Sequence, residues 1–297
     1  MRDIRRKLDG IPEHLGLAYE VWTPDEDNDG KIPDRDRDTW LDDIVVKSQP
    51  SADFLARYRI AYQRWVSTLA GLEHRTWIAR TQRRLLVGHG QPAPTDVGLR
   101  LHHTWGVPVI PGSALAGLLA HFVQTCYGPD RDRRQDDDAE RLPYAGPRYA
   151  PETGRAVESP GTFYVRLFGA PPVVDGDGVA HPARRGGLIV HDALWIPPDR
   201  DRDAQQFLLR DVVTPHHHTY YSEHTSSTAA WPNDHDDPIP ISFVTVGPQT
   251  RFLIALTCPD ADLLDRACRY LGAALASWGI GAKTAAGYGR LEHDKSS

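Results

Sequence analysis

Apolar residues recur at helical spacing in three stretches of the chain. Phe54, Tyr58, Ala61, Tyr62, Trp65 and Leu69 mark one face of a helix opening near Ser51. Leu115, Leu118, Leu119, Phe122, Val123 and Cys126 mark a second, with Ser113 as its expected N-cap. Leu263, Leu264, Ala267, Tyr270, Leu271, Ala274, Leu275 and Trp278 mark a third, capped by Asp260 and ending at Gly279, where a glycine commonly closes a helix.

Shorter runs read as strands: 76–79, 84–87, the alternating 97–102 and the apolar 187–195. Residues 163–168 form another short apolar run, and 241–246 followed by 252–256 read as a hairpin feeding the last helix. Residues 23–43 are acidic and punctuated by proline, which predicts a loop or disordered segment. Helices set among strands imply an α+β fold, an antiparallel sheet with helices on one face. The strand–helix–strand rhythm fits a ferredoxin-like βαββαβ core expanded by loops.

Composition narrows the classes. With 297 residues and 40% hydrophobic content the chain can bury a sizeable core, while 24 prolines and 25 glycines imply long surface loops. No run of apolar residues is long enough to span a bilayer. Cys126, Cys258 and Cys268 are unpatterned among apolar neighbours and read as reduced core residues of a cytoplasmic protein. The net charge of −6 disfavours a free-standing nucleic-acid binder, yet the acid is concentrated in hydrophilic stretches and leaves room for a local basic groove.

The candidate chemistry sits after the third helix. Residues 279–289 hold four glycines in eleven positions around Lys283 and Thr284. Such a loop suits close backbone approach to a phosphate, with free N–H groups, a hydroxyl and an ammonium. It equally suits a glycine C-cap and a tight turn into a final strand. A P-loop is excluded, because Ala282 and Ser277 stand where that motif needs glycine. The helix dipole at this end repels phosphate, so Lys283 would supply the attraction. A second anion site is conceivable at the N-terminus of the middle helix, at Gly112 and Ser113. In 214–236, His216, His217, His218, His224 and His235 offer metal donors. Adjacent histidines diverge, however, and lack the same-face spacing that grips one ion. Stacking and hydrogen bonding by His216 and Tyr220 on a projecting loop fits better, and neither a structural metal nor a cofactor is expected.

Two separated stretches carry a family resemblance. Ile110-Pro111-Gly112-Ser113-Ala114-Leu115-Ala116-Gly117 resembles the Ile-Pro-Gly-Ser-Ser-Leu-Lys-Gly element of CRISPR-associated RAMP proteins. Residues 279–289 resemble their C-terminal glycine-rich loop in its fullest form. His191-Asp192-Ala193, 211–216 and Tyr220-Tyr221 are similar to a backbone subunit of the Cmr complex, the type III-B RNA-guided effector. The resemblance covers roughly residues 85–125 and 185–291.

It implies an RRM-like RAMP domain over 51–297, with insertions near 128–160, 171–185 and 197–238, preceded by a 1–50 extension that carries the acidic loop. It implies a non-catalytic subunit near the end of the filament that carries the guide's 3′ region. The partners would be guide CRISPR RNA, target RNA and other Cmr subunits: filament backbone, small subunit and terminal RAMP subunit. RNA contacts would fall on Gly279, Gly281, Ala282, Lys283, Thr284, Gly287, Tyr288, Gly112, Ser113, Arg184, Arg185, His216 and Tyr220. Ala116 stands where the family pattern has lysine, which shifts phosphate grip toward Lys283, Thr284 and backbone amides. An RNA-processing endonuclease with His89, His191 or His216 as general base is the enzymatic alternative. A protein-only filament cap is the third.

Overall fold

The computed structural model describes residues 14–21, 32–91, 93, 97–129, 138–174, 178–214 and 240–294. Its helices are α1 (Leu15–Glu20), α2 (Asp34–Lys47), α3 (Ala52–Thr68), α4 (Gly112–Tyr127), α5 (Thr162–Phe168) and α6 (Ala261–Ser277). Its strands are β1 (His74–Thr81), β2 (Val109–Ile110), β3 (Arg148–Tyr149), β4 (Ala156–Glu158), β5 (Gly169–Ala170), β6 (Val173–Val174) and β7 (Ala180–His181). They continue with β8 (Arg184–Arg185), β9 (Ile189–Val190), β10 (Ala193–Trp195), β11 (Leu208–Val213), β12 (Ile241–Val246), β13 (Arg251–Thr257) and β14 (Leu291–His293). None of the described helices is long and apolar enough to cross a membrane.

Contacts divide the chain into two compact units. One comprises Ala56–Leu85, Val109–Pro197 and Pro248–Ser297. Its main sheet is antiparallel, in the order β14-β1-β13-β10-β2, with β9 also on β13. With α4 between β1 and β10, and α6 between β13 and β14, this is the βαββαβ ferredoxin-like arrangement that the alternation of patterns implies. β13 lies at the centre: Phe252, Ile254, Ala255 and Leu256 are fully buried, as a strand flanked on both edges should be. Against it, α6 presents Leu264, Ala267, Leu271 and Ala274, all fully buried. That helix starts where the sequence predicts, with the Asp260 carboxylate accepting from the Leu263 N–H at 3.0 Å. It ends at Gly279, whose N–H donates to the Ala274 carbonyl and whose φ of +80° turns the chain out of the helix. α3 begins at the expected Ser51, whose hydroxyl accepts from the Phe54 N–H, and it lays Tyr58 on Trp195 and Trp65 on His191.

The other unit comprises Met1–Leu55, Leu86–Pro108 and Pro198–Gly247. In its described part β11 pairs with β12, and α2 packs on that ribbon. The buried Ser48 hydroxyl donates to the Val45 carbonyl and accepts from the Leu208 N–H, tying the end of α2 to the start of β11. Tyr19 stacks on Trp40 at 5.7 Å and donates to the Val97 carbonyl.

Several sequence expectations are corrected. The stretch read as an acidic loop to residue 43 becomes helical from Asp34. Its alternating Asp and Arg residues mask Trp40, Leu41 and Ile44, which are buried at one-turn spacing, while Asp38 and Asp42 flank Arg210 at 3.3 Å each. The apolar 163–168 run, to which the sequence pattern assigns no element, is helical. The 84–87 run forms no strand, and 97–102 contributes only the isolated bridge of Leu101 to Pro108. The hairpin over 241–256 does not form: β12 pairs with β11, and β13 with β1, β9 and β10. Ser113 is not the cap of α4, because the helix already begins at Gly112. Of the cysteines only Cys258 is buried; Cys126 is exposed, and Cys268 is half-buried, which pushes its thiol up to about 11.

Candidate nucleic-acid interface

The order of the sheet decides what surrounds the glycine-rich loop. Because β14 lies antiparallel beside β1, the loop entering β14 must meet the segment leaving β1. The contacts are backbone ones: the Gln82 N–H donates to the Arg290 carbonyl and the Gly289 N–H to the Arg84 carbonyl, at 2.9 and 2.8 Å. The loop is closed at its base by the Ile280 N–H, which donates to the Gly289 carbonyl at 2.9 Å. A Cβ on Gly289 would stand 1.8 Å from the Ile280 oxygen, so this glycine is demanded by the loop's own closure. The C-cap and tight turn that the sequence allows are therefore both present.

The tip obeys different constraints. Gly281 and Gly287 have φ of +87° and +86°, and between them Lys283 takes φ +59° and ψ +30°. A non-glycine residue in the left-handed region costs about 1–2 kcal/mol. The Lys283 carbonyl anchors the turn by accepting from the Ala286 and Tyr288 N–H groups. Ala282, Thr284 and Tyr288 are half-buried and Gly281 is exposed. A Cβ on Gly287 would meet only the flexible Arg83 side chain, 3.6 Å from its guanidinium.

Lys283 is thus not the sole cation at this corner. Arg83 lies along Gly287, and Arg84 is bonded to the loop through its carbonyl. Arg290 donates to the Ala276 carbonyl at 3.1 Å, satisfying an orphan acceptor of the last turn of α6 and offsetting the negative end of its dipole. Sequence reasoning passes over Arg83, Arg84 and Arg290. The adjacency of first and last strands in a ferredoxin-like sheet is the signal that finds them.

The N-terminus of α4 holds a built-in anion. The Asp192 carboxylate accepts from the Gly112 N–H at 2.7 Å. The Ala114 and Leu115 N–H groups turn back to the Pro111 carbonyl, and Ser113 points outward, exposed. A Cβ on Gly112 would fall 2.2 Å from the Val190 oxygen, so glycine here lets α4 meet the β9–β10 connection.

The remaining candidates are dispersed. Arg184 and Arg185 form β8, exposed, in the insertion between α4 and β9. His216 and Tyr220 lie outside the described residues, as does the histidine-rich stretch read as metal-free. Among the described residues no cluster of His, Cys, Asp and Glu could hold a metal ion. His89 is exposed in a turn of one unit. His191, in the other, has its ring nitrogen 3.2 Å from the Thr257 hydroxyl and its edge against Trp65. Burial lowers its pKa, against the opposing pull of Asp192.

Comparisons with known proteins follow the same geometry. The family profile described as the RAMP superfamily matches residues 79–292, from β1 to β14. The CRISPR system Cmr subunit Cmr6 of Pyrococcus furiosus is 30% identical over 250 residues, covering 79% of this chain and 72% of that protein. In a solved structure, the Type III-B Cmr-beta bound to cognate target RNA, one chain shares the fold with a TM-score of 0.52 at 16% identity, over 89% of this chain and 78% of that one. The crystal structure of Cmr6 from Pyrococcus furiosus aligns over 75% of this chain and 99% of that one, at 28% identity and a TM-score of 0.43.

Proposed function

We propose that this chain, which belongs to the RAMP superfamily and within it to the Cmr6 subunits, is a non-catalytic, RNA-binding backbone subunit of a type III-B effector complex. It holds the 3′ part of the guide RNA, and the duplex the guide makes with target RNA, near one end of the filament. Its partners are guide and target RNA and the neighbouring Cmr subunits. The carrying observation is Lys283, a lysine kept at φ +59° at the tip of a loop whose other positive-φ positions are all glycine. A glycine there would spare backbone strain; a lysine is retained for its ammonium, and Arg83 beside Gly287 extends the same basic corner. In this reading phosphates run over the tip, where Gly281, Thr284 and Gly287 leave the backbone accessible. The N-terminus of α4 serves structure instead, since Asp192 already fills the place a phosphate would take at Gly112. His191, held by the Thr257 hydroxyl and the Trp65 ring, is read here as a packing residue.

The test substitutes Lys283 two ways in the assembled complex. Lys283→Ala keeps the backbone cost and loses the charge; Lys283→Gly loses both. Both should weaken retention of guide RNA by about 1 kcal/mol and flatten its salt dependence by about one contact. Only Lys283→Gly should also raise thermal stability, by about 1 kcal/mol, through relief of the left-handed backbone. Filter binding across a salt series and thermal melts read the two effects separately. RNA retention unchanged in both variants would overturn the role given to the loop.

A further inference from the structure

We infer that the insertion between α4 and β9 carries a second RNA subsite, a groove for a single-stranded stretch of RNA, some distance from the glycine-rich loop. Two clefts of about 500 and 770 Å³ adjoin there, sharing Pro171, His181 and Pro182 as walls. Their floor is apolar, built from Val165, Pro171 and Val173. Tyr149 stands on the rim with half its surface exposed, as is that of Val179 nearby.

The charge over this floor has one sign. Arg155, Arg166 and Arg184 line the clefts beside the His181 ring, and among the described residues no carboxylate does. Arg166 is engaged with Asp260 at 2.5 Å, and the nearby Glu158 is held by Arg148 at 2.8 Å. Arg155 and Arg184 of the clefts, and Arg185 next to them on β8, are exposed and, among the described residues, have no acidic partner. Two such guanidiniums stand over the floor on a chain of net charge −6. The occupant must therefore be anionic along its length and apolar at intervals.

Single-stranded RNA meets both demands, its phosphates on the arginines and its bases over proline, valine and the Tyr149 ring. A duplex offers phosphates but hides the bases, and leaves the apolar floor uncovered. Position favours a separate subsite as well. Arg166 touches Asp260, the N-cap of α6, whereas the glycine loop follows the C-terminus of that 17-residue helix. The two sites lie about 25 Å apart along it.

This proposal rests on the RNA-binding reading above, and the experiment separates the two. The assembled complex with its guide receives target RNAs that stop at the complementary segment, or continue at either end as a uridine tract containing 4-thiouridine. Long-wave irradiation should cross-link the tail to peptides within 149–185 of the wild-type chain. Arg155→Glu/Arg184→Glu/Arg185→Glu should abolish that cross-link and weaken the tailed RNA about tenfold, flattening its salt dependence by about two contacts and leaving the untailed target unchanged. Tails that cross-link only elsewhere overturn the groove, and do so even if the triple variant folds poorly. Loss of a protein subunit from ribonuclease-treated complex in the triple variant would assign the groove to an acidic protein segment instead. If Lys283→Ala retains guide RNA normally while the tail still reaches 149–185, the groove stands and the role of the loop falls.

Discussion

Asp192→Ala asks whether the N-terminus of α4 is a structural joint or an open anion site. The carboxylate accepts one hydrogen bond, from the Gly112 N–H at 2.7 Å, at the positive end of a 16-residue helix. A cap of this kind contributes about 0.5–2 kcal/mol, and the dipole adds a few tenths for an exposed group. Because Asp192 is exposed, about 1 kcal/mol is the expected total, a fall in Tm of about 2–4 °C for a chain of this size. Asp192→Asn keeps an oxygen acceptor without the charge and should recover about half of that loss. Inorganic sulfate should then discriminate: it stabilises Asp192→Ala by occupying the vacated donors and has little effect on the wild type. Melting curves with and without sulfate give the whole comparison. Equal stabilisation of wild type and variant would show the helix start open to anions despite Asp192, refuting the structural reading of Gly112 and Ser113.

Two other expectations follow from the loop and from His191. Gly289→Ala should destabilise by on the order of 3 kcal/mol or more, since its Cβ would collide with the Ile280 oxygen at a φ of +69°, whereas Gly287→Ala should cost only about 1 kcal/mol; thermal melts would contradict this if the two were equal. His191 has a folded-state pKa below its unfolded value, so the unfolded chain binds the extra proton and stability falls as pH drops below about 6.5. His191→Gln should flatten that part of a stability–pH curve, and a curve that keeps its slope would assign the titration to another group.

The helices were legible where an apolar stripe faces one neighbour. Asp260, the stripe of α6 and Gly279 are local signals, and each reports a local physical need. α2 was not legible, because its buried residues are few and an Asp–Arg alternation surrounds them. The partners of β12 and β13 were misread for a related reason. A short Gly247-Pro248 link implies a hairpin, yet both strands are apolar on both faces. Lacking the alternation of a half-exposed hairpin, β13 took the centre of the main sheet and β12 paired with β11, each with partners distant in sequence.

The same distinction governs the glycine loop. Composition identified the loop but could not apportion its glycines, because closure and accessibility demand the same residue type for different reasons. Gly279 and Gly289 are buried, and their missing Cβ atoms make room for the backbone of the loop itself. Gly281 and Gly287 lie outside that base: Gly281 is exposed, and the missing Cβ of Gly287 leaves space toward Arg83. A loop needed only to turn the chain would put glycine at 283 as well, since the backbone there is already left-handed. Lysine at a left-handed position of this loop, beside arginines delivered by the neighbouring strand, is the observation on which the proposed phosphate-holding role rests, and the Lys283→Ala and Lys283→Gly pair separates that role from a turn that merely ends a helix.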